Sequence, residues 1–372
     1  MKRQTFWRVF IALMLLGCSG AMVSCSKDLP DETFVPSKYA LIDLHLHLDG
    51  SLTVDDAIYM ASVDGVTLPS SRSEIEKLLV CPDDCESLND YIKCFDLPVS
   101  IMQSKETIAY SVRSLVKRLD AQGLIYAEIR YAPQQQLQKG LTQDEVVAAS
   151  IEGLRQGMAE ATGGIKAQLI LCCMRGEGND ELNKETVRMA KKYLGQGVCA
   201  LDIAGAEALF PTSKYRDLFA YAREQGVPFT IHAGEADGVE SMRLAIEYGA
   251  TRIGHGVRSW NDADMKALVK GKDVCLTLCP SSNLQTKALE GVTKMTQFPL
   301  QYFLKAGVPV CINTDNMSVS NTTVAKELGR LHDAGVMSAA DAKTMVRTAI
   351  KHAYLSDTEK AELLKKAEEK MK

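Results

Sequence analysis

The sequence predicts an α/β protein: a parallel (β/α)8 TIM barrel with a helical lid insertion after its first strand and extra helices at its C-terminal end. Three observations carry this. Eight short runs rich in β-branched and apolar residues alternate with stretches of helical spacing. No Pro/Gly/Ser-rich linker divides the chain, and 372 residues suffice for one large buried core. The first strand lacks the Gly-x-Gly-x-x-Gly turn that would favour the alternative, a doubly wound open sheet.

Residues 1–24 read as a signal peptide rather than as fold. Lys2, Arg3 and Arg8 make a basic start, and the apolar run Val9–Gly17 is too short to span a bilayer as a helix. Small residues then lead to Cys25, a pattern that resembles a bacterial lipoprotein signal with Cys25 as the lipidated residue. Cys18 is the competing site, and an uncleaved anchor or a chance apolar start stays open as the alternative. Residues 25–38, with Asp28, Asp31 and Glu32, form a polar tether, and 39–372 a single domain. The expected location is outside the cytoplasm, anchored by lipid to a bacterial membrane, the outer one, facing periplasm or surface. Removing the three early positive charges takes the formal net charge from −4 to −7, which argues against nucleic acid as a partner.

Strands are expected to begin near Leu41, Ile125, Ala167, Val198, Phe229, Arg252, Val274 and Val310, with helical spacing over Glu145–Ala161, Thr186–Tyr193 and Lys214–Glu224. About seventy residues separate the first two strands, far more than one crossover helix needs. An insertion there sits at the barrel face where active sites are built. Within it Leu88, Tyr91, Ile92 and Phe95 fall at i, i+3, i+4 and i+7, one apolar face of a helix. Ser338–Lys372 adds two charged helices on the outside. Cys172, Cys173, Cys199, Cys275, Cys279 and Cys311 fall in apolar runs and read as small core residues. Cys81 and Cys85 flank a turn, and whether they pair is left open.

Four of the six histidines lie in motifs at strand ends. Asp43-Leu44-His45-Leu46-His47-Leu48-Asp49 alternates, so His45 and His47 share a face with Asp43 and Asp49. Two imidazoles so placed can bind one metal ion. His232-Ala233-Gly234-Glu235, Gly254-His255-Gly256 and Thr314-Asp315-Asn316 end three later strands, where a barrel gathers distant groups into one pocket. His332 and His352 lie in helical segments and read as structural.

This combination resembles the adenosine deaminase family of the amidohydrolase superfamily, from about Tyr39 to Leu355. Further landmarks are Tyr126-Ala127-Glu128-Ile129-Arg130-Tyr131, Leu201-Asp202-Ile203-Ala204-Gly205 and Cys279-Pro280-Ser281-Ser282-Asn283. The resemblance implies one Zn²⁺ per chain held by His45, His47, His232 and Asp315. It implies Glu235 as proton donor to the purine N1 and His255 as the group that orients water. Gly205 would approach N3, Asp49 the ribose 5′-hydroxyl, and Leu88, Tyr91, Ile92 and Phe95 would line a lid over a purine nucleoside. The chain departs from many family members at Asn316, where they carry a second aspartate; an amide NH₂ can still donate to N7. No second metal is expected, because the fourth strand ends in Ala204-Gly205. The implied reaction is deamination of adenosine, and of 2′-deoxyadenosine. Adenine or a modified adenosine as substrate is the alternative, and a non-catalytic purine-binding lipoprotein the reading from another class. Oligomeric state is not legible.

Overall fold

The first strand, β1 (Leu41–His47), is buried along its whole length. Leu44 and Leu46 turn to one side and the two histidines to the other, as a pleated strand requires. Seven parallel strands follow: β2 (Leu124–Tyr131), β3 (Lys166–Met174), β4 (Val198–Ala204), β5 (Thr230–Ala233), β6 (Arg252–His255), β7 (Cys275–Leu278) and β8 (Val310–Ile312). Each begins within one residue of the position expected from sequence. The computed structural model describes residues 34–372, so the expected signal peptide, Cys25 and most of the tether lie outside the described residues.

The strands form two four-stranded parallel sheets, in the orders β1-β2-β3-β4 and β5-β6-β7-β8. Single parallel bridges join the sheets at both seams, Leu201 to Phe229 and Leu46 to Asp315. At the second seam His47 N–H donates to the Asp315 carbonyl (2.7 Å) and Asp315 N–H to the His45 carbonyl (2.8 Å). The first and last strands are therefore hydrogen-bonded where the candidate ligands stand.

Helices follow the strands, and their starts are written in the sequence. Thr142 and Glu145 cap each other's backbone at the start of Gln143–Glu160, and Ser338 with Asp341 does the same for Ala339–His352. These boxes explain why the first helix starts two residues before the expected Glu145. The helix Asp357–Lys370 completes the C-terminal pair. The segment between β1 and β2 holds the helices Val54–Asp64, Arg72–Leu79, Leu88–Ile92, Asp96–Ser100 and Lys105–Ala121. The apolar stripe expected on one helix is divided. The helix Leu88–Ile92, capped by Ser87, tightens into a 3₁₀ turn over Lys93–Phe95. Among the described residues no helix is long and apolar enough to cross a membrane.

All nine cysteines of the described residues are free thiols, so Cys81 and Cys85 are not bridged here. They sit buried together with Cys94, Tyr91 and Val319 in a small cluster apart from the main core.

Candidate active site

Four side chains from three strand ends meet at one point. His45 Nε2 lies 3.0 Å and His47 Nε2 3.2 Å from His232 Nε2. Both His45 and His47 lie 3.4 Å from Asp315 Oδ1. The other faces of these groups are also fixed. Thr277 Oγ1 donates its proton to the Ile253 carbonyl (3.2 Å), so it accepts from His45 Nδ1 at 2.8 Å. His232 Nδ1 faces Asp202 Oδ2 at 2.9 Å, which places a proton on that nitrogen. Ser282 Oγ donates to Asp315 Oδ2 (2.6 Å). The inward-facing nitrogens of His45 and His232 therefore carry lone pairs, aimed at each other across a hydrogen-bond length. Two lone pairs held so close repel unless a cation lies between them. Three imidazole nitrogens and a carboxylate are a donor set that suits zinc, and the outer partners are those that orient such ligands.

Electrostatics agree. Burial first, then neighbouring positive groups, hold His45, His47 and His255 well below the usual histidine range. They are neutral at pH 7, the form that ligates. Burial alone would raise Asp202, but His232 and Arg130 outweigh it and hold its carboxyl below the usual range. Close approach also needs Gly254: a Cβ there would stand 2.8 Å from His45 Cε1.

His255 lies near enough that its ring joins His45, His232 and Asp315 in a set of donor atoms all within 4.8 Å of one another. Its tautomer gives it a different task. Asn283 Oδ1 accepts from Cys279 N–H, which turns the Asn283 NH₂ toward His255 Nδ1 at 2.9 Å. Nδ1 accepts, so Nε2 carries the proton and has no lone pair for a metal. That Nε2 stands 3.4 Å from Glu235 Oε2. His47 is the better fourth ligand.

Glu235 is buried, with Thr286 Oγ1 donating to its Oε1 at 3.0 Å. Burial, and then the charges of Asp315 and Glu207, push its pKa well above the usual carboxyl range. That direction favours the protonated acid, the form able to give a proton. His255 and Asp315 both adopt left-handed backbone angles, φ 61° and 60°, conformations that cost energy outside glycine and cluster at functional sites.

These groups open onto one pocket at the strand ends. His47, Asp49, Gly205, His232, Glu235, His255, Asp315 and Asn316 line it, and Leu88, Tyr91, Ile92 and Phe95 form its apolar wall. Of the site residues that the resemblance implies, all but His45 are on the lining, and His45 is fully buried behind it. Tyr91 ties the wall to the loop after β8 through Ser320 Oγ (2.6 Å). Gly205 sits at φ 110°, a left-handed angle that favours glycine. Asn316 keeps its Oδ1 buried without a protein partner. Burial pushes Asp49 up to about 7. Asp43 shares the strand face but not the cavity: its carboxyl accepts from His45 N–H and from the Thr314 hydroxyl. His332 stacks on Phe34, and neither it nor His352 reaches the cavity.

Sequence reasoning missed the residues behind the site. Asp202, Ser282 and Asn283 stood in quoted motifs without a role, and Thr277 and Glu207 gave no local signal. It also missed Gln135, Cys172 and Met174 on the cavity wall.

Parallel strands that deliver a three-histidine, one-aspartate donor set beside a buried proton donor define a metal-dependent hydrolase of the amidohydrolase kind. The chain belongs to the adenosine deaminase family: the model of that family, described as adenosine deaminase, matches residues 40–370. An adenosine deaminase of Haemophilus ducreyi is 45% identical over 332 residues, spanning 88% of this chain and 95% of that one. An adenine deaminase from Arthrobacter aurescens superposes with a TM-score of 0.78 at 24% identity, over 89% and 98% of the two chains. An amidohydrolase from Burkholderia ambifaria, solved with bound Zn, gives 0.80 at 19% identity, over 90% and 92%.

Proposed function

We propose that this chain hydrolyses adenosine to inosine and ammonia, and 2′-deoxyadenosine likewise, with zinc as its metal. One observation carries the reading: three imidazole nitrogens and a carboxylate meet at one point beside the buried Glu235 carboxyl, at the wall of one cavity. His45, His47, His232 and Asp315 would hold the ion. Zinc bound there would supply a water whose pKa is lowered towards about 7.

The chain's own residues supply the rest. Glu235 holds a proton for N1, so that the ring accepts electrons as C6 becomes tetrahedral. His255 presents its Nε2 proton to the water oxygen, orienting it and stabilising the charge that grows there. Gly205 lets the backbone approach N3, Asp49 accepts from the ribose 5′-hydroxyl, and the Asn316 amide donates to N7. Leu88, Tyr91, Ile92 and Phe95 serve as a lid that excludes water. The two sheets are read as one closed eight-stranded barrel, supported by the bridges at both seams, with the last two helices packed outside.

The basic start, short apolar run and Cys25 support an exported, lipid-anchored enzyme that clears or salvages extracellular nucleoside. Finding the protein in the cytosol without lipid would remove that part of the proposal, and fatty-acid labelling that survives Cys25→Ser would move the lipid to Cys18. The chemistry is tested by loss of adenosine absorbance with and without a chelator. Glu235→Gln is expected to lower kcat by about 10²–10⁴-fold. Equal kcat/KM for adenosine and adenine would shift the substrate to the free base, because the Asp49 contact helps only a nucleoside. Undiminished affinity for 7-deazaadenosine would discard the Asn316 contact.

A further inference from the structure

The loop after β5, Gly234–Asp237, forms neither helix nor strand. Its four consecutive amides all point at one side chain. Glu207 Oε1 accepts from Gly234 N–H (2.8 Å), and Oε2 accepts from those of Glu235, Ala236 and Asp237 (3.1, 2.7 and 3.0 Å). Glu207 is 1% exposed, and a carboxylate holding four amides at that depth is a rigid charge-assisted clamp. It stands two residues beyond Gly205, on the cavity wall. A second link runs beside it. Arg175 donates to the Phe210 carbonyl (2.6 Å), to Thr212 Oγ1 (3.1 Å) and to the His232 carbonyl (2.6 Å). Arg175, just after β3, and Glu207, after β4, thus hold the end of β5 and the loop that follows it, one as a cation and the other as an anion.

We propose that Glu207 is a positioning residue for deamination: its carboxylate fixes the backbone of Gly234–Asp237 so that the Glu235 carboxyl stands at the ring. The proposal rests on the reading of Glu235 as proton donor to N1. It goes further by naming what aims that donor. Glu207 does not touch the reacting atoms. It has no metal ligand to orient, since the four amides it holds lie after His232. A displacement of about 1 Å at a reacting group costs on the order of 10²-fold in rate, and an irregular loop without its clamp moves that far. Binding of the nucleoside depends on other walls of the cavity and changes little.

Glu207→Gln replaces one acceptor oxygen with an NH₂ that faces donors. The expected result is kcat lower by about 10²-fold with KM within about threefold, and metal content unchanged. Glu207→Asp keeps both acceptors and recovers part of kcat. The decisive measurement is the double variant, because residues acting through one another are not additive. Glu207→Gln with Glu235→Gln is expected to match Glu235→Gln alone. If the two losses multiply, or if Glu207→Gln keeps full kcat, the clamp is merely structural and the proposal falls. If Glu235→Gln itself keeps full kcat, the reading of the proton donor fails instead. Should Glu207→Gln not fold, the same cycle run with Glu207→Asp decides in the same way.

Discussion

Two fully buried arginine–carboxylate pairs lie within the strands, and their partners differ. Near the cavity, Arg130 Nη1 pairs with Asp202 Oδ2 at 2.5 Å, and Nη2 donates to the Leu44 carbonyl (2.6 Å). That same carboxylate oxygen faces His232. At the start of β6, Arg252 Nη2 pairs with Glu128 Oε2 at 2.5 Å. Arg252 also donates to the His352 carbonyl (3.1 Å) and lies 4.0 Å over the Tyr354 ring, while Tyr354 N–H donates to Glu128 Oε1 (2.7 Å). Both pairs neutralise a charge in a dry interior. One turns its remaining contacts to a candidate metal ligand, the other to the end of the helix Ala339–His352 and to Tyr354 just beyond it. Glu128 and Arg130 share one face of β2, so a single strand serves both. The lesson is that burial and pairing alone do not mark a functional site; the third partner does.

The comparison can be broken first on stability. Glu128→Gln and Asp202→Asn each strand a buried guanidinium, and each is expected to cost about 3–5 kcal/mol in denaturant unfolding. Activity per folded molecule should survive in Glu128→Gln alone; equal loss in both would erase the distinction. Next in size, Asp202→Asn should weaken metal binding about 10–100-fold, measured by competition with a chelator, whereas Glu128→Gln leaves it unchanged. A Tyr354→Leu variant removes the cation–π face and is expected to cost about 1–2 kcal/mol with kcat untouched.

The last effect concerns pH. Burial lowers His352 to about 4, with the Asp273 carboxylate opposing it and losing. The unfolded chain takes up this proton near 6.5 and the folded chain only near 4. Neutral His352 therefore supports the fold above about 6.5, and that support is lost as pH falls from there to about 4. His352→Gln should flatten this part of the stability curve, and an unchanged slope would show that other groups set it.

How much was legible in the sequence follows from how far each signal reaches. His45 and His47 announce themselves through local alternation, and the capping residues through spacing of three. The strand ends were legible because a parallel strand buried on both faces is a short apolar run with sharp limits. Asp202 was not: its meaning comes from Arg130 and His232, which lie in other strands. Glu207 was invisible for the same reason, because its partners are backbone amides, and these leave no mark on residue type. The split of the Leu88–Phe95 stripe was hidden because a 3₁₀ turn keeps i and i+3 on one side, so the same pattern fits both.

The seam between β1 and β8 has a consequence for the order in which the protein comes to life. His45 and His47 are among the first residues of the domain to leave the ribosome, and Asp315 follows about 270 positions later. Closing so long a loop costs little more than closing one half its length, so distance is no obstacle once the last strand exists. Before then the ligand set is incomplete. A chain cut short ahead of Ile312 would carry three histidines and no carboxylate, and would lack the strand that positions them. Synthesis itself thus withholds the candidate ligand set until the last strand has emerged.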